Sequence, residues 1–420
     1  MQLKQLFLSL SLVIFSLWTQ NSWAANGAHL TAISSASKGM GGVSVGRYLS
    51  GMDGLYRNPA TLTQSKTAVG GIQLEGGVQI AQLLGKANTG AGDKESSDKS
   101  RIIPDVGMTY RLTDDLTTGL AVVTYGGVFN DYVGETSISE IKTDGRSHRL
   151  MLGAGYQVTE NLSLGVTPFM NYSTLSLNLT SATTGLQSTR SANGAVAFGG
   201  TFGLHANVVE NLSVGASYSM KTNLKIKELV DLDGFGPGTG SAVTAGALDD
   251  VTIQEPDEVN VGVAFQATED LILAVDYRLK RWAASETFND LGWTDQHVIA
   301  LGAQYQMGEW ALRSGVNYGK SPIEDKTGQL DTPVVDMEGH TVFPSSVTLL
   351  NMASFPAISE WNLSAGVGWA VSSALDLDMA FVYSPSKTVS HSGTNFASAA
   401  YTRSGTMAQW SLGMNAAYRF

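Results

Sequence analysis

The chain has 420 residues, of which 15% are charged and 47 are glycine, and its formal net charge at neutral pH is −11. This low charge content argues against a disordered chain, and a mean hydropathy of +0.01 argues against a bundle of membrane-spanning helices, which would be strongly apolar. The acidic balance, with no basic face anywhere in the sequence, argues against a nucleic-acid-binding protein.

The N-terminus has the three parts of a secretory signal peptide. Lys4 is a positive residue at the start, an apolar run follows from Leu6 to Trp18, and Ser22-Trp23-Ala24 places small residues before a cleavage site. The run is shorter than the roughly 20 residues that a membrane-spanning helix needs, so a retained anchor is the weaker alternative. We expect residues 1–24 to be a signal peptide and the mature chain to be exported.

The stretch from Ser34 to Leu62 has the composition of a segment that packs inside another structure. It contains six glycines and no long apolar run, so it cannot bury a core of its own. Gly39, Gly41 and Gly42 allow backbone to approach backbone closely, and Asn58-Pro59 signals a turn. We therefore expect this stretch to lie within the rest of the chain.

From about Lys66 onward, the sequence repeats one pattern. Short alternating runs end in an aromatic residue or histidine, a tight polar turn follows, and the next run begins with leucine or tryptophan. The six turns are Tyr110–Leu116, Tyr156–Leu162, His205–Leu212, Phe265–Leu271, Tyr305–Trp310 and Trp369–Leu375. Six hairpins, with a first run (Lys66–Gln82) and a last run (Met407–Phe420), predict about fourteen strands, an even number as in bacterial outer-membrane barrels.

The alternation within these runs separates an apolar face from a polar one. In the last run, Trp410, Leu412 and Met414 share one parity, and Gln409 and Ser411 share the other. A soluble β-sandwich also alternates, but the aromatic residues at run ends and the signal peptide favour a membrane barrel. The predicted fold is all-β: a transmembrane antiparallel β-barrel of about 14 strands over residues 66–420.

The connections on the other side of the predicted barrel are long and unequal, as expected for extracellular loops. They are Leu83–Ile102, Asn130–Arg146, Asn178–Asn193, Leu224–Glu255, Ser285–Gln296, Lys320–Glu360 and Ser386–Thr406. The fourth and the sixth carry many apolar side chains, including Leu229 and Phe235 in the fourth. Exposed apolar side chains are costly unless they pack together or contact an apolar ligand, and the sequence leaves both alternatives open.

One strand breaks its own alternation. The run from Thr124 to Phe129 reads Thr-Tyr-Gly-Gly-Val-Phe, and the pair Gly126-Gly127 after Tyr125 indicates a β-bulge or a kink. We expect the barrel wall to be irregular at these residues.

The sequence shows no pattern that supports catalysis, a metal site or a cofactor. Gly42-Val43-Ser44-Val45-Gly46 matches a nucleophile motif but lacks the buried strand before it and the helix after it. The histidines are scattered, so metal binding is not expected. We expect charged residues on the lumen face to form a network that anchors the inner segment. These residues are Arg111, Asp276, Arg278, Lys280, Arg313, Asp376 and Asp378, with Arg57 from the segment itself.

The pattern Gly39-Met40-Gly41-Gly42, then Asp53, then Asn58-Pro59-Ala60, soon after the signal peptide, resembles the N-terminal hatch of the FadL/TodX family. Leu312–Ile323 and Trp361–Trp369 resemble later strands of that family. The resemblance implies a hatch over residues 25–65 that plugs the barrel, in the outer membrane of a Gram-negative bacterium. The residues with implied hatch or gate roles are Gly39, Gly41, Gly42, Asp53, Asn58, Pro59 and Ala60.

The resemblance also implies a function, namely passive uptake of long-chain fatty acids or small hydrocarbons with release sideways through a kinked third strand. The residues expected to bind the ligand are Ala28, His29, Leu30, Ile33, Phe129, Leu229 and Phe235. The exit is expected at Tyr125, Gly126 and Gly127. The implied partners are hydrophobic small molecules, outer-membrane lipid and the barrel-assembly machinery, and the protein is expected to be a monomer without a cofactor.

Two other functions stay open at this point. A general porin for polar solutes is disfavoured because a plug would obstruct a water channel. A non-transporting barrel is the other alternative, since relatives with a similar hatch serve as scaffolds for secretion or attachment. The loop from Asn178 to Asn193 is short and mostly polar, whereas the family's fatty-acid members fold this loop outward as part of a surface groove.

Overall fold

The computed structural model describes residues 25–26, 28–90, 92–134, 138–181, 187–188, 193–229, 250–330, 335–337, 340–342, 344–394 and 399–420. The predicted signal peptide, residues 1–24, lies outside the described residues, and so does Phe235, which the resemblance implies as a ligand contact.

The described chain forms a closed antiparallel barrel of fourteen strands, so the predicted fold class is confirmed. The strands are β1 (Ile72–Asn88), β2 (Ser100–Arg111), β3 (Leu116–Val133), β4 (Ile138–Thr159), β5 (Leu162–Ser181), β6 (Asn193–Val209), β7 (Leu212–Ser219), β8 (Glu258–Gln266), β9 (Leu271–Lys280), β10 (Gln296–Met307), β11 (Trp310–Gly319), β12 (Trp361–Ala370), β13 (Leu375–Thr394) and β14 (Ala400–Arg419). β14 pairs with β1, for example Leu412 with Ile80, which closes the barrel. Closure satisfies backbone N–H and C=O groups that lipid cannot satisfy.

All six predicted turns are present at one end of the barrel, which we call the turn end. At the other end, the loop end, several strands are longer than the sequence predicts. β3 continues to Val133 and β4 begins at Ile138, so most of the predicted loop from Asn130 to Arg146 is a paired hairpin. The same correction applies to Leu83–Ile102, Asn178–Asn193 and Ser386–Thr406, into which β1, β2, β5, β13 and β14 extend.

Charged residues near the loop end explain why the sequence predicts the strands to end too early. Lys142 and Arg146 suggest a loop in the sequence, but both lie on the more exposed face of β4, whereas Ile141 and Thr143 are buried on its inner face. The backbone of β4 continues to pair with β3 and β5 even where its outer face has charged side chains. Strand length at the loop end is therefore set by pairing rather than by polarity.

The outer face carries an apolar band between two levels of aromatic side chains. Trp310 stacks on Trp369 toward the turn end, with ring centroids 5.2 Å apart, and Tyr318 packs on Trp361 toward the loop end. The two levels are separated by about 27 Å along β11, or about 21 Å along the axis of a barrel whose strands tilt by about 40°. This height is close to the apolar band of about 25 Å in outer-membrane barrels. No helix among the described residues is long and apolar enough to cross a membrane.

Residues 28–65 lie inside the barrel, as the fold prediction expects of a hatch. The segment contains helix α1 (Ser35–Gly39), helix α2 (Gly51–Arg57) and the 3-10 turn Pro59–Gln64. Each piece begins at a side chain that accepts a backbone N–H from its own first turn, namely Ser34, Ser50 and Asn58. Local hydrogen bonds therefore hold a segment that has little hydrophobic core of its own.

The hatch is close enough to the wall for backbone to touch backbone, and wall glycines make this possible. A Cβ atom on Gly262 of β8 would lie 2.6 Å from the Gly46 amide nitrogen, and one on Gly366 of β12 would lie 2.9 Å from the Gly39 Cα. Similarly close contacts with the hatch occur at Gly107, Gly119, Gly155, Gly165, Gly203, Gly215, Gly302, Gly315 and Gly413. Larger residues at these inward positions would push the hatch away, which gives the high glycine content a physical reason.

Shorter elements lie outside the barrel strands. They are the strands Ala25–Asn26, His29–Leu30, Asp93–Glu95, Gln187–Ser188, Thr222–Ile226, Val251–Glu255, Lys326–Leu330, Val335–Met337 and His340–Val342, the 3-10 turn Trp282–Ala284, the helices Glu286–Asp290 and Pro344–Leu349, and the π turn Leu350–Ser354. Many of their apolar side chains pack together, for example Trp282 and Phe288, which also contact Trp293 in the connection after the helix. The loops at the loop end thus cover part of their own apolar surface.

Replacing Gly315 with alanine tests whether the wall glycines hold the hatch in place. A Cβ atom there would overlap the backbone of Met40 and Gly41, and overpacking of this kind costs about 1–3 kcal/mol. We expect Gly315→Ala barrels to assemble but to expose Lys38 and Arg47 of the hatch to trypsin. Limited digestion followed by mass spectrometry measures the change.

Gly76→Ala is the matched control, because a Cβ atom on this β1 glycine would contact nothing. Equal resistance of the hatch to trypsin in both variants would contradict the docking role of the wall glycines.

Candidate functional site

A deep apolar pocket lies between the loops at the loop end and the first residues of the hatch. It has about 1310 Å³ of empty space, part of which is open to solvent. Its apolar lining includes Leu175, Leu177, Leu224, Ile226, Leu229, Val251, Ile253, Phe288, Leu291, Trp293, Leu350 and Phe355. Ala28 of the hatch and Phe129 of β3 also line it. A cleft lined mainly by apolar side chains is the usual form of a site for a hydrophobic ligand.

The barrel wall is broken between β2 and β3, beside this pocket. Backbone pairing between the two strands ends at Val106 with Val122. Beyond this point β2 still pairs with β1 as far as Ser100, and β3 still pairs with β4 as far as Val133. The two strands therefore separate from each other while each keeps its other neighbour, which leaves a window in the wall.

Side chains of β2 and of the connection before it frame this window. Pro104 has no N–H to offer a neighbouring strand, and the Asp105 carboxylate accepts the Thr124 N–H at 2.8 Å. Toward the loop end, the Ser96 hydroxyl accepts the Asp131 N–H at 3.0 Å. The Ser97 N–H also donates to the Asp131 carbonyl at 2.8 Å. The window thus has hydrogen bonds at each end and no backbone ladder between them.

The leading strand of the hatch closes the window from inside. β3 bulges at Tyr125, where its register with β4 shifts. His29 pairs with Gly126, and the Gly127 N–H donates to the Ala28 carbonyl at 3.2 Å. A Cβ atom on Gly126 would lie 2.5 Å from the Ala28 carbonyl oxygen, so glycine at the bulge is what allows the hatch strand to approach.

Apolar side chains fill the window. Leu30 of the hatch, Ala81 of β1, Ile103 of β2 and Phe129 of β3 form one buried cluster. The Arg101 guanidinium lies 4.0 Å from the centroid of the Phe129 ring, a favourable cation–π contact. Side-chain packing, and not a backbone ladder between β2 and β3, therefore closes this part of the wall.

Asp53 fixes the segment that follows the hatch strand. Its Oδ1 accepts the Ile33 N–H at 3.0 Å, and its Oδ2 accepts the Ser34 N–H at 3.2 Å and the Ser50 hydroxyl at 3.1 Å. The carboxylate is buried. Hydrogen bonds to a charged acceptor are stronger than those to a neutral one, so Asp53 ties the leading segment to α2.

Charged wall residues on β9 bond the hatch backbone. Asp276 accepts the N–H groups of Ser44 and Val45 at 2.7 and 3.1 Å. Arg278 donates to the carbonyls of Thr31, at 2.9 Å, and Gly42. These two residues act as the predicted lumen network anticipates, and Ser44, which the nucleophile motif contains, is held here through its backbone.

Four other charged residues are placed differently from that expectation. Arg313 pairs with Asp378, Asp376 pairs with Arg419, and Arg111 donates to the Thr67 backbone. These bonds lie within the wall or beyond the end of the hatch at residue 65. The alternation of residues along a strand predicts that a charged side chain faces the lumen. It does not predict which residue that side chain contacts there.

Buried charges lie where the pocket reaches the hatch. His29 Nε2 donates to Glu255 Oε2 at 2.7 Å, and Arg57 of α2 forms an ion pair with Glu258 of β8. The Arg149 guanidinium lies 3.8 Å from the Phe169 ring centroid and also contacts the rings of Tyr56 and Tyr125. Among the described residues, no group of three or more His, Cys, Asp or Glu side chains is arranged to hold a metal ion.

The protonation states of His29 and Glu255 follow from their surroundings. Burial lowers the pKa of His29, and the charge of Lys280 acts in the same direction, so the imidazole is neutral near pH 7. Burial alone would raise the pKa of Glu255, but its interaction with His29 and the charges of Arg149 and Lys280 hold that pKa below its ordinary value. Glu255 is therefore ionised.

The structure brings one part of the sequence-derived site together. The residues that border the pocket or the window are Ala28, His29, Leu30, Tyr125, Gly126, Gly127, Phe129 and Leu229. Ile33 lies in a separate cluster with Met52 and Leu55.

The residues of the hatch motif dock the hatch and do not border the window. Gly39 and Gly41 lie against β10, β11 and β12, and Gly42 lies beside Arg278. Asn58, Pro59 and Ala60 lie against wall glycines of β4 to β7. The Asn58 amide donates to the carbonyls of Val45 in the hatch, at 2.7 Å, and Leu204 in the wall, at 3.0 Å.

Four residues of the site escape sequence reasoning: Pro104, Asp105, Arg149 and Glu255. Pro104 carries a usable signal, because proline inside an alternating run indicates a strand edge. Arg149 and Glu255 are isolated charges next to apolar residues, which the sequence does not distinguish from loop or surface charges.

The comparisons with known proteins agree with this geometry. Residues 16–342 match the family model described as outer membrane protein transport protein (OMPP1/FadL/TodX). A search of curated proteins finds no match. Among solved structures, the toluene transporter TbuX of Ralstonia pickettii shares 17% sequence identity at a TM-score of 0.65, the toluene transporter TodX of P. putida shares 17% at 0.66, and a Pseudomonas aeruginosa FadL homologue shares 14% at 0.69. Each alignment covers 93% of this chain and 99% of the other. At these identities the likeness shows a shared fold.

Replacing Asp53 with asparagine tests the tether on the leading segment. Asparagine keeps one acceptor oxygen and loses the charge, so the N–H groups of Ile33 and Ser34 cannot both keep their bonds. We expect hydrogen exchange at these two amides to become about tenfold faster or more, since losing a hydrogen bond to a charged group costs about 1.5–3 kcal/mol. Hydrogen–deuterium exchange with mass spectrometry measures this rate.

Asp270→Asn, in an exposed turn, is the matched control. The tether is refuted if exchange at residues 33 and 34 is the same in both variants.

Proposed function

The chain belongs to the FadL/TodX family of outer membrane transport proteins, and we propose that it admits hydrophobic compounds passively through the apolar pocket and releases them sideways through the window between β2 and β3. The substrates are long-chain fatty acids or small hydrocarbons as a class. One observation supports the proposal above all: the pocket, the hatch strand and the window adjoin one another. Ala28 and Phe129 both line the pocket, Ala28 bonds Gly127 of β3, and Phe129 packs in the window.

The entry side follows from the orientation of outer-membrane barrels, whose short turns face the periplasm and whose long loops face outward. The apolar pocket lies at the loop end and therefore faces the outside. A compound that enters it exchanges water for side chains such as Leu229 and Trp293. Burial of each methylene group is worth about 0.8 kcal/mol, which supplies the driving force for capture.

The exit side follows from what blocks the straight path. The hatch docks on wall glycines around the barrel, so a direct passage requires the whole hatch to move. A sideways passage requires only that the hatch strand His29–Leu30 leave Gly126 and that apolar side chains in the window move apart. The second path also keeps an apolar compound out of water, because it ends in lipid. We therefore assign gating to the hatch strand rather than to the whole hatch.

The porin alternative lacks a continuous polar path. A polar cavity of about 990 Å³ lies at the turn end, bordered by charged residues such as Arg47 and Asp378. Among the described residues it shares no lining residue with the apolar pocket. A scaffold role requires neither the apolar pocket nor the window, so it does not explain why the barrel has them.

An uptake panel tests the proposed function against both alternatives. The protein is expressed in a Gram-negative host that lacks its own transporter of this kind, and uptake of radiolabelled oleate, toluene and a sugar is compared. We expect oleate or toluene to enter faster than in cells without the protein, and the sugar to enter at the background rate. Sugar uptake alone would favour a porin, and no uptake at all would favour a scaffold.

A bulky residue at Gly127 tests the lateral exit. Gly127 lines the pocket next to the bulge, so Gly127→Trp adds an indole where pocket and window meet. We expect uptake of the panel's preferred apolar compound to fall to the background rate, while binding of that compound to purified protein persists. The control is Val122→Trp, on the exposed outer face of β3. Unchanged uptake in Gly127→Trp, or equal loss of uptake and binding, would rule against the exit.

A further inference from the structure

Glu255 places a carboxylate at the boundary of an apolar pocket, where an ionised group is costly to bury. The residue ends the strand Val251–Glu255, whose residues Val251 and Ile253 line the same pocket with apolar side chains. Only 9% of its surface is exposed. A ligand that enters the pocket meets this charge, so the hydrogen bonds that Glu255 already has determine what it can still accept from the ligand.

His29 satisfies one of the two carboxylate oxygens. Its Nε2 donates to Oε2 at 2.7 Å, and no donor among the described residues bonds Oε1. Oε1 is also not one of the fully enclosed atoms, so it faces the empty space of the cavities that Glu255 lines. Glu255 thus offers one free acceptor to whatever occupies the pocket.

Arg149 offers a donor nearby. It is 7% exposed, its Nε donates to Asn171 at 2.8 Å, and no carboxylate lies within 4.0 Å of it in the described part of the chain. Arg146 also lines the apolar pocket, but it is paired with Asp144 at 3.1 Å and more than half exposed. Arg149 therefore keeps N–H groups that no carboxylate of the described residues engages.

A small polar cavity joins these two residues. It has about 380 Å³ of empty space, and both Glu255 and Arg149 line it. Arg57 and Glu258 on its wall are paired with each other, and Lys280 lies 4.0 Å from Glu258. Because Glu255 lines both cavities, a molecule whose apolar body fills the large pocket can place its polar end in the small one.

We propose that this pair of cavities binds neutral hydrophobic molecules that carry one hydroxyl group, and that Glu255 discriminates against molecules that end in a carboxylate. The inference rests on the proposed function, passive uptake of hydrophobic compounds, and differs from it in which of these compounds the pocket prefers. The hydroxyl donates to Glu255 Oε1, and its oxygen accepts from Arg149. A hydroxyl is both a donor and an acceptor, which matches this pair.

The competing end groups fit less well for separate reasons. A carboxylate would bring a further negative charge next to Glu255, on a cavity wall that already carries Glu258, and like charges repel more strongly in a partly dry site than in water. A bare hydrocarbon would cover Oε1 without giving it a donor, and a buried acceptor without a partner is unfavourable. The hydroxyl avoids both penalties.

A series of twelve-carbon compounds isolates the end group. Radiolabelled 1-dodecanol, dodecanoate and dodecane are bound at pH 7.5 to the full-length mature protein in lipid nanodiscs, and binding to empty nanodiscs is subtracted. We expect dodecanol to bind about tenfold more tightly or better than either of the others, because one hydrogen bond to a charged group is worth that much. Equal affinities, or a preference for dodecanoate, would overturn the proposal.

Glu255→Gln then identifies the residue responsible. Glutamine keeps an acceptor for His29 and removes the charge, so we expect dodecanoate to bind about tenfold more tightly than in the unaltered protein. Glu210→Gln, in an exposed turn at the other end of the barrel, is the control and should change nothing. An unchanged dodecanol-to-dodecanoate ratio in Glu255→Gln would reject Glu255 as the discriminating group. If this variant does not assemble, the series on the unaltered protein still decides the proposal.

Uptake of the same three compounds by cells separates this inference from the proposed function. If none enters faster than in cells without the protein, the proposed function fails. If all three enter and bind equally well, transport stands and only the assignment of end-group selectivity is wrong.

Discussion

The close docking of the hatch backbone on the inner wall is the constraint on which the rest of this structure depends. Glycines on most strands leave no side chain between hatch and wall, and Asp276 and Arg278 bond the hatch backbone directly. A segment held on many sides in this way is difficult to move as one body, because every contact would be lost together. The lumen is therefore closed along its axis by packing, which is why we propose a substrate route through a place where the wall itself is incomplete.

That place is the window between β2 and β3. Pro104 and the bulge at Tyr125 interrupt the ladder from its two sides, and Leu30 of the hatch reaches into the opening. The pocket at the loop end and the window are both apolar, so an oily compound stays out of water from capture to release, while the charges of Glu255 and Arg149 border the route without blocking it. The two proposals together separate specificity from gating, since they place the sensing of the end group in the pocket and the opening of the passage at the hatch strand.

How far the sequence predicts this arrangement depends on whether a feature is local. The six turns, the inward Asp276 and Arg278 and the outward Trp410 follow from short patterns, and the glycines between Ser34 and Leu62 indicate an enclosed segment. The window does not follow, because Gly126 and Pro104 lie on different strands and only their pairing shows that they meet. Glu255 does not follow for a similar reason, because its place beside His29 depends on tertiary packing between residues far apart in the sequence. The strand ends near Val133 and Ile138 differ from the prediction because charged side chains on the outer face do not end the pairing between strands.

The central claim is that apolar compounds leave through the wall and not past the hatch. Photo-cross-linking with a dodecanol that carries a terminal diazirine tests it most directly, because the reagent labels whatever residue its apolar tail reaches inside the protein. The account predicts labelled peptides from β2 and β3 that contain Ile103 and Phe129, together with pocket residues such as Trp293. Labels confined to residues around the polar cavity at the turn end, such as Tyr48 and Trp369, with none on β2 or β3, would contradict it.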